Sequence, residues 1–328
     1  MTPRRAGIDM GKMFGYGDIK LYAGSASLEL AQEISAYLKV PLSGYDLVEF
    51  SNENLFVRLH GSVRGQDVYV IQSMGSPLHR NIMELLIMID CLKRDSAGRI
   101  TAVIPYMAYA RSDKKDQPRV SIAARLLSDM IEVAGADRYM TVDLHAGQIQ
   151  GFFSIPGDVL TAFHLLSDYF VAKKLQDAVV ATVDLGFAKK GRNFAAKLGT
   201  PLAFVEKRRT GNDSRATATT IIGDVLDKNV ILVDDEVLTA SSITEGVRIV
   251  KEHGARDVFL SFTHPLLVPP AAERLASAPI VEIVTTNTLP LPANARLPNM
   301  TVLSVAPLLA EVIIRGHEGR SVGELFNE

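Results

Sequence analysis

The chain has 328 residues, of which 47% are hydrophobic and 22% carry a charged side chain. That length exceeds the usual size of one domain and predicts two α/β domains, each able to bury a core. The formal net charge of −2 argues against a nucleic-acid-binding surface or a membrane-binding patch.

The single cysteine, Cys91, excludes an internal disulfide bond and is typical of a reducing compartment. It lies in an apolar helical run and is predicted to be a core residue. No apolar stretch reaches the roughly 18 residues of a membrane-spanning helix, and no signal peptide is evident. We therefore expect a cytoplasmic protein.

Strands and helices alternate along the chain, which favours mostly parallel sheets covered by helices. The predicted strands are residues 19–22, 68–72, 100–104, 139–142, 178–182, 202–205, 230–233, 257–263 and 280–285. The predicted helices are residues 27–38, 81–94, 122–134, 188–198, 244–253 and 305–315. Gly135 and Gly199 follow two of these helices, where left-handed helix stops belong. The strands form two comparable series, which suggests two similar lobes.

Two segments of the first series carry groups suited to a nucleotide. Phe50, among amides and carboxylates in residues 49–58, could stack on an adenine base or be an ordinary core residue. Residues 105–121 place four cations, Arg111, Lys114, Lys115 and Arg119, on a stretch with little hydrophobic periodicity. Such a loop suits a polyphosphate, and it is equally typical of a solvated charged surface.

Polar residues also follow three further predicted strands. His145 can ligate Mg²⁺, act as a base or cap a loop. Because Mg²⁺ prefers oxygen ligands, Asp184 could complete a site across the cleft. Lys207 and Arg209 follow the strand at residues 202–205, where cations fit charge stabilisation in phosphoryl transfer or a solvated turn.

Residues 228–246 form the most informative segment of the chain. An apolar run stops at Asp234 and Asp235, small and hydroxyl residues follow at 239–242, and helical spacing then resumes. A loop that opens a helix presents N–H groups and the positive end of the helix dipole to a phosphate. The alternative is a buried strand followed by a solvated turn. The segment resembles the phosphoribosyl-diphosphate-binding motif of the type I phosphoribosyltransferase fold.

Together these segments resemble the ribose-phosphate diphosphokinase, or phosphoribosyl-diphosphate synthetase, family. The similarity runs from residue 19 to residue 326, with its most specific block at residues 134–153. It implies an α/β protein of two lobes with the type I phosphoribosyltransferase fold, each a mostly parallel sheet flanked by helices. The implied domains are an N-terminal lobe at 1–160, a C-terminal lobe with the sugar-phosphate motif at 161–304, and a helix at 305–328 that packs back on the N-terminal lobe.

The resemblance also implies an activity, which is transfer of the diphosphoryl group of Mg·ATP to the 1-hydroxyl of ribose 5-phosphate. It implies a homo-oligomer built from dimers, commonly a hexamer, with Mg²⁺ as the cofactor. The metal ligands would be His145 and Asp184, and the catalytic cations Lys207 and Arg209. The ATP-binding residues would be Phe50, Asn52, Asn54, Arg111, Ser112 and Arg119, with Phe50 and Asn52 at the adenine of a neighbouring subunit's site. Ribose 5-phosphate would be bound by Asp234, Asp235, Thr239, Ala240, Ser241 and Ser242.

Several positions depart from the pattern of that family. Leu238 stands where the family carries a ribose-binding carboxylate, and Ser241 replaces a loop glycine. Phe187 adds bulk to the loop that follows Asp184, and Ser112 shortens a side chain beside Arg111. Because the metal pair and the cations remain, we predict an active enzyme with weakened or altered affinity for the sugar.

Three other functions compete with this prediction. A non-catalytic, synthetase-like regulatory subunit would explain Leu238, Ser241 and Phe187. A true phosphoribosyltransferase would leave the cationic residues 111–119 without a role. A purely structural protein would leave the converging acids and cations unexplained.

Overall fold

The computed structural model of the protein describes residues 15–183, 185–209 and 217–325. Strands and helices alternate through these residues and build two open sheets and one short hairpin. No helix in the described ranges is long and apolar enough to cross a membrane. The predicted fold class, an α/β protein with two mostly parallel sheets flanked by helices, is confirmed.

The strands and helices have the following bounds. The strands are β1 (Ile19–Ala23), β2 (Tyr45–Glu49), β3 (Leu55–Leu59), β4 (Asp67–Ile71), β5 (Arg99–Ile104), β6 (Arg138–Val142), β7 (Gly157–Leu160), β8 (Ala178–Thr182), β9 (Leu202–Arg209), β10 (Thr217–Ile222), β11 (Asn229–Val237), β12 (Asp257–Pro265), β13 (Glu282–Thr286) and β14 (Met300–Leu303). The helices are α1 (Leu28–Leu38), α2 (Leu78–Arg94), α3 (Ala123–Ala134), α4 (Phe163–Lys173), α5 (Ala188–Leu198), α6 (Ser241–Glu252), α7 (Ala271–Ser277) and α8 (Ala306–Glu318).

The first sheet has five strands in the order β1-β4-β5-β6-β7, and every neighbouring pair is parallel. All five residues of β4 are buried. Residues 68–71 of β4 form a continuous hydrophobic run, which a parallel strand covered by helices needs because neither face meets water. Strands β2 and β3 form a separate antiparallel hairpin that packs on α2.

The second sheet has seven strands in the order β10-β9-β8-β11-β12-β13-β14, and only β10 runs antiparallel to its neighbour, β9. The chain moves from β8 to β9 and β10 on one side, and from β11 to β14 on the other. The order of the strands therefore reverses between β8 and β11. In open α/β sheets, ligands bind in the crevice at the carboxyl ends of the two strands that flank such a reversal.

The last helix, α8, packs against α1 and the first sheet. Leu309 and Ile313 of α8 share a hydrophobic cluster with Leu30 and Ile34 of α1. The end of α8 is also hydrogen-bonded to the first sheet, because the Tyr69 hydroxyl donates to the carbonyl of Ile313 at 3.3 Å. The division into domains at residues 1–160, 161–304 and 305–328 stays a prediction.

The two predicted glycine stops behave differently. Gly199 ends α5 in the left-handed region at φ 66°, as predicted. Gly135 ends α3 at φ 121°, a positive value outside the left-handed helical region, and its N–H still donates to the carbonyls of Ile131 and Glu132. Both conformations have positive φ and favour glycine over residues with a Cβ atom.

Candidate active site

One cavity of about 390 Å³ lies between the two sheets, at the crevice beside β11. The first sheet contributes Arg111 and His145 to its wall, from the segments that follow β5 and β6. The second sheet contributes Val183 and the continuous run of residues 234–243. The volume lies in the range of roughly 300–1,000 Å³ that small-molecule sites occupy.

The acids of the sugar-phosphate motif lie inside β11 and not beyond its end. The predicted strand stopped at residue 233, but β11 continues to Val237 and stays parallel to β12 through the pairs Asp234–Phe262 and Glu236–His264. The carboxylates cap the backbone locally, because Asp234 Oδ1 accepts from the N–H of Asp235 and Asp235 Oδ1 accepts from the N–H of Glu236, both at 2.9 Å. Three consecutive carboxylates therefore line the cavity.

The hydroxyl-rich segment at residues 239–242 runs into α6, which begins three residues before the predicted start at residue 244. Ala240 adopts a left-handed conformation at φ 60°, and α6 begins at Ser241. The first N–H groups of a helix lack acceptors within the helix, so those of α6 are available to an anion at the cavity. The hydroxyls of Thr239 and Ser241 lie 3.1 Å apart at the same wall.

His145 contacts the motif across the cleft. Its Nδ1 lies 2.7 Å from Asp235 Oδ2. This hydrogen bond raises the pKa of His145 above its ordinary value, against the opposing effect of burial. Burial acts to raise the pKa of Asp235, but the hydrogen bond with His145 and the positive charge on the ring outweigh it and lower that pKa to about 2. Asp235 is therefore a carboxylate at neutral pH.

A second contact between the sheets lies beside the first. Arg111 donates from Nε to the buried carboxylate of Glu236. Burial of the Tyr106 hydroxyl and the negative charge of the nearby Glu236 raise the pKa of Tyr106 well above its ordinary value. Two neighbouring residues of β11 thus each hold a side chain from the first sheet.

A buried polar network joins the two sheets beneath the cavity. Asp143, at φ 42°, accepts hydrogen bonds from Thr161 Oγ1 at 2.9 Å and from Thr263 Oγ1 at 2.7 Å. His264 is buried, and its Nε2 lies 3.1 Å from the carbonyl oxygen of Asp143. Lys190 Nζ lies 3.5 Å from the Asp143 carboxylate. This network fixes the segment that carries His145, two residues farther along the chain.

The structure brings together part of the predicted site. The predicted residues that line the cavity are Arg111, His145, Asp234, Asp235, Thr239, Ala240, Ser241 and Ser242. Ser112 and the exposed Arg119 follow Arg111 but are not on the cavity wall. Asp184 lies outside the described residues. Lys207 and Arg209 lie in β9, opposite Thr219 and Thr217 of β10, and their side chains lie outside what the structure describes.

The predicted adenine-binding residues lie elsewhere in the same chain. Phe50, Asn52 and Asn54 occupy the turn between β2 and β3 and do not line the cavity. The Phe50 side chain is 52% exposed, and its ring centroid lies 6.5 Å from that of Phe56. Phe50 is therefore not a core residue, which was the alternative expectation.

The residues that depart from the family pattern lie in different parts of the structure. Leu238 and Ser241 lie on the cavity wall, so a carboxylate at 238 would face the ligand. Phe187 packs against a hydrophobic cluster, with Lys190 Nζ 5.6 Å from its ring centroid. Phe187 does not line the 390 Å³ cavity, but it lines a small adjoining pocket together with Asp234 and Asp235.

The residues missed by the sequence analysis are Glu236, Tyr106, Asp143 and Lys190. Glu236 follows the two motif acids directly, and a third consecutive acid at a strand exit was the available signal. Asp143 precedes His145 in the block at residues 134–153, but a single buried acid carries no local signal of a partner 120 residues away.

Comparisons with known proteins agree with this geometry. Residues 19–135 match the N-terminal domain of ribose phosphate pyrophosphokinase, and residues 210–327 match the phosphoribosyl synthetase-associated domain. The ribose-phosphate pyrophosphokinase of Campylobacter jejuni is 46% identical over 315 residues, which is 96% of this chain and 100% of that protein. The protein of the same name from Caldanaerobacter subterraneus is 46% identical over 94% of this chain and 98% of its own length.

A solved structure extends the likeness to three dimensions. The phosphoribosylpyrophosphate synthetase from Mycobacterium smegmatis superposes with a TM-score of 0.88 at 43% identity, over 92% of this chain and 99% of that one. Identity of this size over nearly the whole of both chains shows common descent and not merely a common fold. The chain belongs to the ribose-phosphate pyrophosphokinase family.

Proposed function

We propose that the protein transfers the diphosphoryl group of Mg·ATP to the 1-hydroxyl of ribose 5-phosphate in the cavity between its two sheets. The products are 5-phosphoribosyl 1-diphosphate and AMP, the reaction of a ribose-phosphate diphosphokinase. One observation supports this location above the others: Arg111 and His145 from the first sheet line the same space as residues 234–243 from the second. Cations suited to ATP thus face acids and a helix N-terminus suited to a sugar phosphate.

The second sheet offers the groups for ribose 5-phosphate. We assign the sugar hydroxyls to Asp234 and Asp235, because a carboxylate is a strong acceptor for a hydroxyl. We assign the 5-phosphate to the loop at residues 239–242, where the N-terminus of α6 meets two side-chain hydroxyls. Leu238 between these groups offers no hydrogen bond to the sugar.

The residues at the cavity fit a magnesium ion that arrives with ATP. In metal sites, the ring nitrogen of histidine that does not bind the metal usually donates to a carboxylate, as His145 Nδ1 can donate to Asp235. Carboxylate oxygens such as those of Asp234 are ligands that Mg²⁺ prefers. In the described ranges, which omit the predicted ligand Asp184, no three His, Cys, Asp or Glu residues are arranged as a metal site. The bound ion neutralises charge on the phosphates and orients them.

Charge stabilisation and positioning carry the catalysis in this proposal. The 1-hydroxyl oxygen of the sugar attacks the β-phosphorus of ATP, the bond from that phosphorus to the AMP oxygen breaks, and the hydroxyl proton passes to water. An in-line transfer of this kind needs no nucleophile from the protein. We propose that Arg111 holds the phosphates of ATP and that Lys207 and Arg209 stabilise the charge that develops on the transferring group.

The direct test is to incubate the purified protein with Mg·ATP and ribose 5-phosphate and to quantify AMP and the diphosphorylated sugar. We expect both products in equal amounts and only when the sugar is present. Absence of AMP that depends on the sugar would contradict this function and would favour a non-catalytic subunit that assembles with an active partner. A parallel reaction with the diphosphorylated sugar and a nucleobase tests the phosphoribosyltransferase alternative.

The Leu238→Asp variant tests the sugar site. We expect it to lower KM for ribose 5-phosphate about fivefold to tenfold, because a restored hydrogen bond is worth on the order of 1 kcal/mol. KM for ATP should not change. Leu126→Asp is the matched control, because Leu126 is an exposed leucine of α3 away from the cavity. An unchanged KM for the sugar would show that Leu238 does not limit its affinity.

The exposed turn between β2 and β3 is accessible to a neighbouring subunit. We propose a homo-oligomer, built from dimers as a hexamer, in which Phe50 and Asn52 bind the adenine in a neighbour's cavity. The support for this arrangement is that Phe50 is exposed and absent from the cavity wall of its own chain. Native mass measurement of the purified protein tests the size of the assembly.

If two subunits share each active site, oligomers assembled from two different variants should recover activity. Phe50→Ala and Asp235→Asn subunits should each be impaired alone, and assemblies formed from both should regain part of the wild-type rate. The recovery arises because some sites then combine an intact Phe50 with an intact Asp235. The measurement is AMP formation after the subunits are dissociated together and reassembled, with separately reassembled subunits as the control. No recovery would place Phe50 outside the neighbour's site.

A further inference from the structure

Glu236 is a buried carboxylate of the cavity that the proposed reaction does not yet use. Its side chain is only 5% exposed, and it follows the two acids assigned to the sugar. A buried carboxylate without a partner is costly, and here the partner is Arg111, from the segment after β5. The glutamate therefore contacts the side of the cavity assigned to ATP and not the sugar side.

The geometry of the ion pair leaves Arg111 able to bind a ligand. The carboxylate of Glu236 accepts from Nε of Arg111, whereas the Arg111 side chain as a whole remains 55% exposed on the cavity wall. A guanidinium carries five N–H donors in one plane. A contact at Nε fixes this plane and leaves the Nη1 and Nη2 donors for a phosphate, which a guanidinium can bind with two parallel hydrogen bonds.

Arg111 differs in this respect from the other cations of its loop. Lys114, Lys115 and Arg119 are exposed, and within the described residues the structure gives none of them an ion pair with the second sheet. A long exposed side chain must lose rotamer freedom when it binds a ligand. Arg111 has already lost much of that freedom in the free protein, because a buried residue of β11 holds it.

We propose that Glu236 is a positioning residue that holds the Arg111 guanidinium in the orientation that binds the phosphates of ATP. This inference rests on the proposed function, since it assigns the phosphates of ATP to Arg111. Glu236 itself does not touch the substrate and acts only through Arg111.

The test is the Glu236→Gln variant, which keeps the shape and one acceptor but removes the charge. We expect the dissociation constant of Mg·ATP, measured by calorimetry without the sugar, to rise about tenfold, the effect of losing one hydrogen bond between charged groups. In turnover, KM for ATP should rise by a similar factor, while kcat and KM for ribose 5-phosphate stay within about twofold. Glu252→Gln, in the exposed Arg248–Glu252 pair, is the matched control.

The same substitution in an Arg111→Lys protein separates a positioning role of Glu236 from a general effect on the structure. In an Arg111→Lys protein, Glu236→Gln should weaken ATP binding no further, because the glutamate acts through the guanidinium. Equal losses for ATP and the sugar, or the same loss in both backgrounds, would overturn the proposal. Tighter ATP binding by Glu236→Gln would also overturn it, because the carboxylate would then compete with phosphate for Arg111. Calorimetry gives this answer even if wild-type protein forms no product, so the two proposals can fail separately.

Discussion

Asp235→Asn is expected to lower kcat/KM by about a hundredfold, the upper end of the effect of losing a carboxylate that supports a metal-binding histidine. The carboxylate lies 2.7 Å from Nδ1 of His145 and also faces the sugar side of the cavity. Asparagine has the same shape and can accept the same hydrogen bond, but it lacks the charge that increases the basicity of the ring. The measurement is the initial rate of AMP formation as a function of each substrate.

A double-mutant cycle decides whether the two residues act as one unit. His145→Gln should cost a similar factor, and the double variant should be only slightly worse than either single variant. If the two factors multiplied instead, Asp235 would act on the sugar independently of His145. Asp129→Asn is the control, because it removes a carboxylate from the exposed Arg125–Asp129 pair on α3 and should leave the rate unchanged.

Most of the fold could be predicted because its signals are local. Each of the nine predicted strands and six predicted helices overlaps an element of the structure, since apolar runs and helical periodicity depend on near neighbours. The hairpin of β2 and β3 was missed because its strands are short and partly exposed, as the burial of β2 shows. β7, β10, β14, α4 and α7 were missed as well, and α7 spans only seven residues.

The error in the length of β11 has a physical cause. Carboxylates usually end a predicted strand, because burying them is costly. Here Asp235 and Glu236 are both buried, yet they remain in the strand because His145 and Arg111 provide partners. Those partners lie 90 and 125 residues away in the chain, so no local pattern could reveal them.

The residues of the candidate site also differ in whether local sequence could predict them. Asp234, Asp235 and the loop into α6 could be predicted from one contiguous segment, because the strand, loop and helix that form this wall are consecutive. His145 and Arg111 could be placed at the same cavity only through the family resemblance. The partners of Glu236 and Asp143 could not be predicted, because they depend on how the two sheets pack against each other.

The largest effect on stability is expected far from the cavity, at the buried ion pair beneath α8. Asp67 is fully buried and accepts from Nε and Nη2 of Arg99 at 2.8 and 2.6 Å, and from the Tyr69 hydroxyl at 3.0 Å. Its Oδ2 also lies 2.8 Å from Nδ1 of His317 in α8. Arg99 in turn donates to the carbonyl of Gly316 at 3.1 Å, so the pair links the first sheet to the last helix.

Asp67→Asn should therefore destabilise the protein by about 3–5 kcal/mol, because it leaves the charge of Arg99 buried without its partner. We expect a lower melting temperature and faster hydrogen exchange in α8, measured on the same samples. Asp129→Asn, which removes an exposed carboxylate, should change neither quantity measurably. The double variant Asp67→Asn, Arg99→Met should recover much of the lost stability, since it removes the unpaired charge. A double variant as unstable as Asp67→Asn alone would mean that the loss comes from the remaining contacts of Asp67 and not from the charge of Arg99.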